Sequence, residues 1–210
     1  MEAKSLTMSS SSLHLFQVLL FPLSILLLMS NMQKISAAAT TKANSTGTYK
    51  NFIKTACNTT RYPKECNKAL SPYASTIKTD PQKLCDTALS LTLNATCNTS
   101  SSIESLSKMK GLSPSETEII RDCSETVGDA IDKLTDSLKA MARAQGSKRR
   151  TEMGNVRTWV SAALTNEYTC TDEFEGQKVS KAVKNTMKKS VMYLTKMTSN
   201  CLALLNLLDY

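Results

Sequence analysis

Apolar side chains recur every three or four positions along much of the chain, and this period constrains the fold more than any other feature of the sequence. The clearest repeat lies in the C-terminal segment, where the apolar positions are Val179, Val183, Met187, Val191, Leu194, Met197, Cys201, Leu204 and Leu208. Positions spaced in this way share one face of an α-helix. Similar repeats run from Ile120 to Met141 and from Val156 to Phe174. Together they predict an all-α protein.

Start and stop signals divide these repeats into separate helices. Asp80-Pro81 offers an N-cap followed by proline at the first helical position, and Ser113-Pro114-Ser115-Glu116 has the spacing of a capping box. Helices are predicted over 80–109, 113–145, 156–174 and 179–208, with a weak point at 98–102 and a loop at 146–155. Because short loops join them, we expect an antiparallel four-helix bundle over 80–210, preceded by a helical hairpin over 49–79.

The first 39 residues have the features of a secretory signal peptide. The apolar run Leu13–Met29 is followed by small residues at Ser36–Ala39, where cleavage would occur. The alternative is a membrane anchor, but the run is short for a span of roughly 20 residues. We expect a secreted, extracellular protein with a flexible leader over 40–48 and no membrane attachment after cleavage. Four N-glycosylation sequons support export, at Asn44, Asn58, Asn94 and Asn98.

Cleavage of the signal peptide would leave a chain without histidine, because the only histidine is His14. Ser-His-Asp and Cys-His catalysis are then excluded, as are histidine ligands for a metal. The sequence also has neither CxxC zinc spacing nor a glycine-rich phosphate loop. We therefore expect no catalytic residue, no metal and no cofactor, with a carboxylate-pair hydrolase as the alternative.

The net charge of the chain is positive. Removing Lys4, Lys34 and Glu2 from 26 basic and 18 acidic residues leaves a formal charge of +7. The densest basic run, Lys148–Arg150, has no aromatic platform, so we do not expect nucleic acid as a partner. The charge suits weak binding to an anionic matrix such as pectin, and a structural cell-wall protein held in this way is a further alternative.

Cysteine usage points to disulfide bonds, as expected of an exported chain. Cys57 and Cys66 enclose a Tyr-Pro turn and are the simplest pair to join. A bridge between Cys123 and Cys170 would connect two of the predicted helices.

Three further cysteines make the total odd, so at least one of the seven has no intramolecular partner. Cys85 and Cys97 lie about 18 Å apart if they share one helix, which is beyond disulfide reach. The apolar surroundings of Cys85 and Cys201 are typical of buried, inert thiols. Either a monomer or a disulfide-linked dimer is compatible with this pattern.

Polar residues follow the helical period on the outer faces of the second and third predicted bundle helices. The second helix presents five carboxylates and the third presents hydroxyls with one carboxylate: Asp122, Glu125, Asp129, Asp132, Asp136, then Thr158, Ser161, Thr165, Thr169, Asp172. Such faces are often simply solvated, but an all-acidic ridge repels itself and would be stabilised by a cationic partner. Glu167 lies near the apolar seam without an evident partner.

The chain resembles the plant invertase and pectin methylesterase inhibitor family. The resemblance covers about 49–210 and rests on these features: the signal peptide, CNTTRYPKEC, the Asp80-Pro81 helix start, the mid-chain Cys123, WVSAALTNEYTCTDEFEG and TSNCLALLNLL. It implies a four-helix bundle with a projecting helical hairpin and the disulfides Cys57–Cys66 and Cys123–Cys170. It also implies a protein that is not an enzyme and that blocks the active-site cleft of a cell-wall enzyme in a one-to-one complex.

Two enzyme targets are known for such inhibitors, pectin methylesterase and acid invertase. Invertase inhibitors carry Pro-Lys-Phe between the second and third bundle helices, whereas AQGSKRRTEMGN stands there in this chain. Pectin methylesterase is therefore the favoured partner and acid invertase the alternative. The resemblance assigns partner contacts to positions on the two outer faces, here Glu125, Asp129, Asp132, Thr169 and Asp172, and Thr165 belongs to the same surface.

Overall fold

The computed structural model describes residues 45–174 and 177–208. The predicted signal peptide over 1–39 and the sequon at Asn44 lie outside the described residues. Residues from Thr48 onward form one compact unit, and residues 1–47 form another, of which only 45–47 are described, as part of a helix. In the described part of the chain, no helix is long and apolar enough to cross a bilayer.

Helices account for the secondary structure of the described residues, which contain no strand. The first helix, α1, is described over 45–57. It is followed by α2 (Pro63–Leu70), a 3₁₀ turn (Ser71–Tyr73), α3 (Ala74–Ile77), α4 (Pro81–Ser107), α5 (Pro114–Arg143), a second 3₁₀ turn (Gly146–Lys148), α6 (Arg149–Phe174) and α7 (Lys181–Asn206).

The four long helices pack as the predicted antiparallel bundle. Helix α4 contacts α5 and α7, α6 contacts the same two helices, and the α5–α6 interface is the largest. Connections of a few residues make consecutive helices antiparallel neighbours. The predicted fold class is confirmed.

Side-chain caps fix where three of the bundle helices begin. Asp80 accepts hydrogen bonds from the backbone N–H groups of Gln82 (2.9 Å) and Lys83 (3.1 Å). At the start of α5, Ser113 and Glu116 form a reciprocal capping box, and Ser180 caps α7. The two helix starts predicted from the sequence are therefore confirmed.

Three boundaries differ from the predicted ones. Residues 45–48, which lie inside the predicted flexible leader, are helical. Helix α4 continues through 98–102, where Thr99 and Ser102 donate hydrogen bonds to carbonyls one turn earlier and the buried Ile103 holds the helix to the core. The predicted loop at 146–155 is mostly helical, because α6 starts at Arg149 and buries Met153.

The core has two main parts along the bundle. One part includes the buried residues of the hairpin together with residues of the long helices such as Leu89, Leu134, Val160 and Leu205. The other lies toward the opposite end and surrounds the Cys123–Cys170 disulfide with residues such as Ile103, Val127 and Met187. Both ends of α5 and α6 are thus held by buried apolar contacts, which fixes how their outer faces are presented.

The N-terminal hairpin is closed by the Cys57–Cys66 disulfide and packs against the bundle through α2 and α3, which contact α4. The buried Asn200 of α7 accepts a hydrogen bond from the backbone N–H of Tyr62 (3.0 Å) and donates one to its carbonyl (2.9 Å). Lys196 adds an ion pair with Glu65 (2.8 Å). Because Ile53 is also buried in the main core, the hairpin lies on the bundle rather than projecting from it.

Candidate protein-binding face of helices α5 and α6

The second and third bundle helices are held side by side by a covalent bond. Cys123 of α5 and Cys170 of α6 form a disulfide across a Cα–Cα distance of 4.7 Å. In the chain-entropy model a disulfide that closes a loop of this size contributes about 4 kcal/mol to stability. The outer faces of the two helices are therefore presented as one surface with a fixed geometry.

The acidic face of α5 carries exposed carboxylates. Glu125, Asp129 and Asp132 are all exposed, and no ion pair involves them within the described residues. The two carboxylates at the ends of the face are neutralised locally, Asp122 by Arg121 (3.0 Å) and Asp136 by Lys139 (3.1 Å). The central three carboxylates remain available to a cationic partner.

The hydroxyl stripe of α6 consists of Thr158, Ser161, Thr165 and Thr169, all exposed and followed on the same face by Asp172. Thr165 donates its hydroxyl hydrogen to the carbonyl of Ser161 and Thr169 donates to the carbonyl of Thr165, both at 3.1 Å. Because these hydrogens are used within the helix, the hydroxyl oxygens offer lone pairs to the outside. The stripe and the acidic face therefore both present hydrogen-bond acceptors.

Glu173, which sequence reasoning missed, lies where the acidic face of α5 meets the hydroxyl stripe of α6, a line that we call the seam. Its carboxylate Oε2 is 3.8 Å from the Cys123 sulfur. Partial burial raises the pKa of Glu173, and the nearby charge of Asp122 raises it further. The seam thus concentrates two carboxylates from different helices, a proximity that no single-helix pattern reveals.

Tyr168 is a second residue that sequence reasoning missed. Its side chain is 38% exposed, and it lies three residues from Thr165 and four from Asp172, so it flanks the hydroxyl stripe. Exposed tyrosines are enriched among the residues that dominate binding energy at protein interfaces. The spacing of three and four from the polar stripe was a usable signal in the sequence.

Glu167, on the inner side of α6, is fully buried. Its Oε1 accepts a hydrogen bond from the hydroxyl of Thr198 on α7 (2.6 Å), which supplies the partner that the sequence did not reveal. Its Oε2 has no hydrogen-bond partner within the described residues. Burial raises the pKa of Glu167 to about 8, with the bond from Thr198 opposing the shift. This carboxyl belongs to the core and not to the exposed surface.

The three unpaired cysteines separate into two environments. Cys85 and Cys201 are buried and Cys97 is exposed. The prediction that these two thiols are buried is confirmed. Burial raises the pKa of the Cys85 thiol to about 12 and also strongly raises the pKa of Cys201, which disfavours the reactive thiolate. The predicted glycosylation positions in the described region, Asn58, Asn94 and Asn98, are all exposed.

The outer faces of α5 and α6 together form an exposed polar surface. In the described part of the chain, no group of three or more cysteine, aspartate or glutamate side chains is placed to hold a metal ion. What the two helices offer is a rigid surface of acceptors beside an exposed tyrosine. The fold and this surface define a disulfide-stabilised helical bundle whose second and third long helices present an exposed polar surface.

Comparison with known proteins identifies the family of this bundle. The family model for plant invertase/pectin methylesterase inhibitors matches residues 51–204. The chain belongs to this family, as the sequence motifs predicted.

Several relatives match over nearly their full length. "Pectinesterase inhibitor 4" of Arabidopsis thaliana is 42% identical over 196 residues, covering 90% of this chain and 96% of the relative. The "21 kDa protein" of Daucus carota is 39% identical over 175 residues, or 82% and 88% of the two chains.

Solved structures show the same fold. A crystal structure of a pectin methylesterase inhibitor from Arabidopsis thaliana superimposes with a TM-score of 0.55 at 21% identity, over 75% of this chain and 96% of that one. A mutant form of such an inhibitor gives a TM-score of 0.59 at 23% identity, over 75% and 97%. At these identities the structural likeness concerns the helical bundle itself.

Proposed function

We propose that this protein is a secreted, non-covalent inhibitor of pectin methylesterase that occupies the pectin-binding cleft of the enzyme in a one-to-one complex. The observation that carries the proposal is the 42% identity with "Pectinesterase inhibitor 4" along 90% of the chain. "Pectinesterase inhibitor 11" of Arabidopsis thaliana, 35% identical over 195 residues, adds to it. Acid invertase is the less favoured target, since the α5–α6 connection lacks Pro-Lys-Phe.

Inhibition would come from the surface of α5 and α6 and requires no chemistry from the inhibitor. The central carboxylates of the acidic face and the outward lone pairs of the hydroxyl stripe would accept hydrogen bonds from cationic and amide donors of the enzyme. The contacts proposed are Glu125, Asp129, Asp132, Thr165, Thr169 and Asp172. Threonines lose little side-chain entropy on docking, and the Cys123–Cys170 bond already fixes the two helices, so little ordering is required on binding.

The proposed site of action is the plant cell wall. The N-terminal segment resembles a signal peptide, the two disulfides suit an oxidising compartment, and three sequons are exposed. The family is one of plant inhibitors. These observations support an extracellular protein whose glycans, where attached at Asn94 and Asn98, would lie on α4 and leave the α5–α6 surface uncovered.

The target is tested by titrating the purified mature protein against a plant pectin methylesterase and a cell-wall invertase, with both activities measured. We expect stoichiometric inhibition of the methylesterase alone. Inhibition of invertase alone would reverse the choice of target. Failure to inhibit either enzyme would refute the proposed function.

The surface is tested with Thr169→Arg, which places a long cation in the middle of the proposed interface. We expect inhibition to be lost while helical circular dichroism and thermal melting stay unchanged, because Thr169 is exposed. Thr186→Arg is the matched control, since Thr186 is exposed on α7, away from α5. Equal loss of inhibition in both variants would contradict the assignment of the interface to α5 and α6.

A second variant tests the charges. Asp129→Lys combined with Asp132→Lys reverses the centre of the acidic face without touching the core. If the face binds a cationic surface, the double variant should inhibit at least about tenfold less well. Unchanged inhibition would mean that the acidic face is merely solvated.

A further inference from the structure

The charges of the bundle are segregated between two diagonal helices. Helix α7 contains the lysines 181, 184, 188, 189 and 196 and no acidic residue, whereas α5 contains seven acidic residues. Each of these helices packs against both α4 and α6, so α5 and α7 occupy opposite corners of the bundle. The basic side of α7 is therefore separate from the acidic face and is not explained by the proposed enzyme contact.

A groove follows α7 on this basic side. One part, of about 660 Å³, lies between α4 and α7, and an adjoining part of about 460 Å³ extends toward α2. Asn185, Lys189 and Tyr193 line both parts. They are spaced four residues apart on one helix face, so they form a continuous floor, which we call the basic groove.

The basic groove combines an aromatic surface with free cations. Tyr193 is the most exposed of the large apolar side chains in the described residues, at 51%, and Lys189 precedes it by one turn. Neither Lys188 nor Lys189 takes part in an ion pair among the described residues. Asn98 and Ser102 of α4 supply neutral polar groups along the other edge.

The only carboxylate lining the groove in the described residues is already neutralised. Glu65 pairs with Lys196 at 2.8 Å, and this bond lowers the pKa of Glu65. The groove therefore has a net positive charge, which comes from Lys188 and Lys189. This charge favours an anionic ligand.

From this geometry we propose that the basic groove binds a linear acidic polysaccharide whose sugars carry carboxylates. A sugar ring can stack its apolar face on the exposed Tyr193 ring. Carboxylates on neighbouring sugars can then reach the ammonium groups of Lys188 and Lys189, whose flexible stems tolerate small differences in spacing. Hydroxyls of the sugars can bond to Asn185 and Ser102. Nucleic acid fits less well, because single strands use several successive aromatic platforms and the groove has one.

This site would leave the acidic face free, so the protein could hold a polysaccharide and an enzyme at the same time. The binding proposal rests on the groove and not on the identity of the enzyme. One consequence does rest on the proposed function: removal of methyl esters from pectin creates such carboxylates, so the target enzyme would generate the ligand beside its inhibitor.

The test is a calorimetric titration with a short, fully de-esterified oligogalacturonate at low salt. All variants are made in an Asn98→Gln background, because Asn98 is a predicted glycosylation position at the edge of the groove. Lys188→Glu with Lys189→Glu should weaken binding by about tenfold or more, as expected for loss of charge-assisted contacts. Tyr193→Ala, which keeps every charge, should weaken it by roughly threefold to tenfold.

The matched control is Lys148→Glu with Arg150→Glu, which makes the same change in net charge at the exposed 3₁₀ turn and the start of α6. We expect this control to retain most of the affinity. Equal loss of affinity in the control, or no effect of Tyr193→Ala, would show diffuse attraction and overturn the proposal.

Two further ligands complete the experiment. A fully methyl-esterified chain and a single-stranded oligonucleotide of matched length should both bind less tightly, and binding of either as tight as that of the oligogalacturonate would refute the assignment. Lys188→Gln with Lys189→Gln serves as a milder variant if charge reversal disturbs folding, which circular dichroism reports. Inhibition of pectin methylesterase should be unchanged in all groove variants. Failure of the polysaccharide-binding proposal can therefore be distinguished from failure of the proposed inhibitory function.

Discussion

Replacement of Glu167 by glutamine should remove most of the pH dependence of stability between pH 5 and pH 8. Glu167 is fully buried between α6 and α7, and Thr198 is the only hydrogen-bond partner of its carboxyl in the described residues. Ionisation at this site places a charge in the core without a counter-charge beside it. Glutamine has nearly the same shape, can accept the hydrogen bond from Thr198 and cannot ionise.

The magnitude follows from the pKa. Burial raises the pKa of Glu167 from 4.5 to about 8 in the folded state. A group with a raised pKa contributes stability that is complete below the pKa of the unfolded chain and is lost as pH rises toward the folded value. The free energy of unfolding should therefore fall by about 1.4 kcal/mol per pH unit in this window, or about 3 kcal/mol between pH 5 and pH 7.

The assay is urea denaturation followed by circular dichroism at several pH values from 4.5 to 8. Few other side chains titrate in this range, because the described residues contain no histidine. Glu167→Gln should match or fall slightly below the parent near pH 5 and exceed it above about pH 7. Glu125→Gln, at an exposed position, is the control and should keep the slope of the parent. The same pH slope in the parent and in Glu167→Gln would refute the reasoning.

Three further predictions concern other residues. Backbone N–H groups at the starts of α5 and α7 lower the pKa of Glu116 to about 2. Glu116→Gln should therefore be less stable than the parent at neutral pH, and its stability should fall less than that of the parent between about pH 4.5 and pH 2. Acid titration of the circular dichroism signal measures the difference. Tyr168→Ala should weaken inhibition by about tenfold without changing the melting temperature, if the exposed ring contributes as interface tyrosines do. A maleimide should label one thiol per native molecule, Cys97, and three after unfolding without reduction, since Cys85 and Cys201 are buried; mass spectrometry counts the labels.

The same exposed thiol provides a check on oligomeric state. If the protein forms a disulfide-linked dimer, Cys97→Ser should convert it to a monomer on a non-reducing gel. A dimer that persists in Cys97→Ser would require a different interface.

Much of the bundle could be predicted because its signals are local. The apolar period of α7, the Asp80-Pro81 start and the Ser113–Glu116 capping box each act within a few residues of chain, and each appears in the structure where the sequence placed it. The weak point at 98–102 and the loop at 146–155 were predicted wrongly. The sequences of both stretches favour a helix only weakly. Both are nevertheless helical, because Ile103 beside the first stretch and Met153 within the second are buried in the core.

The outer faces were predicted in part for the same reason. A helix turns by 100° per residue, so the acidic face and the hydroxyl stripe can be read from spacing alone. The seam between them could not, because the approach of Glu173 to Asp122 depends on how α6 lies against α5. Tyr168 was missed although its spacing was visible.

The sequence by itself determined the helices, their caps and the residues that share each face, since these depend on backbone geometry and near neighbours along the chain. Only the tertiary structure decided what lies across from each face. It buried Glu167 opposite Thr198 and joined Lys189 and Tyr193 of α7 to Asn98 of α4 in one groove. Such contacts join residues distant in the chain, so they follow from the packing of whole helices and not from any local pattern.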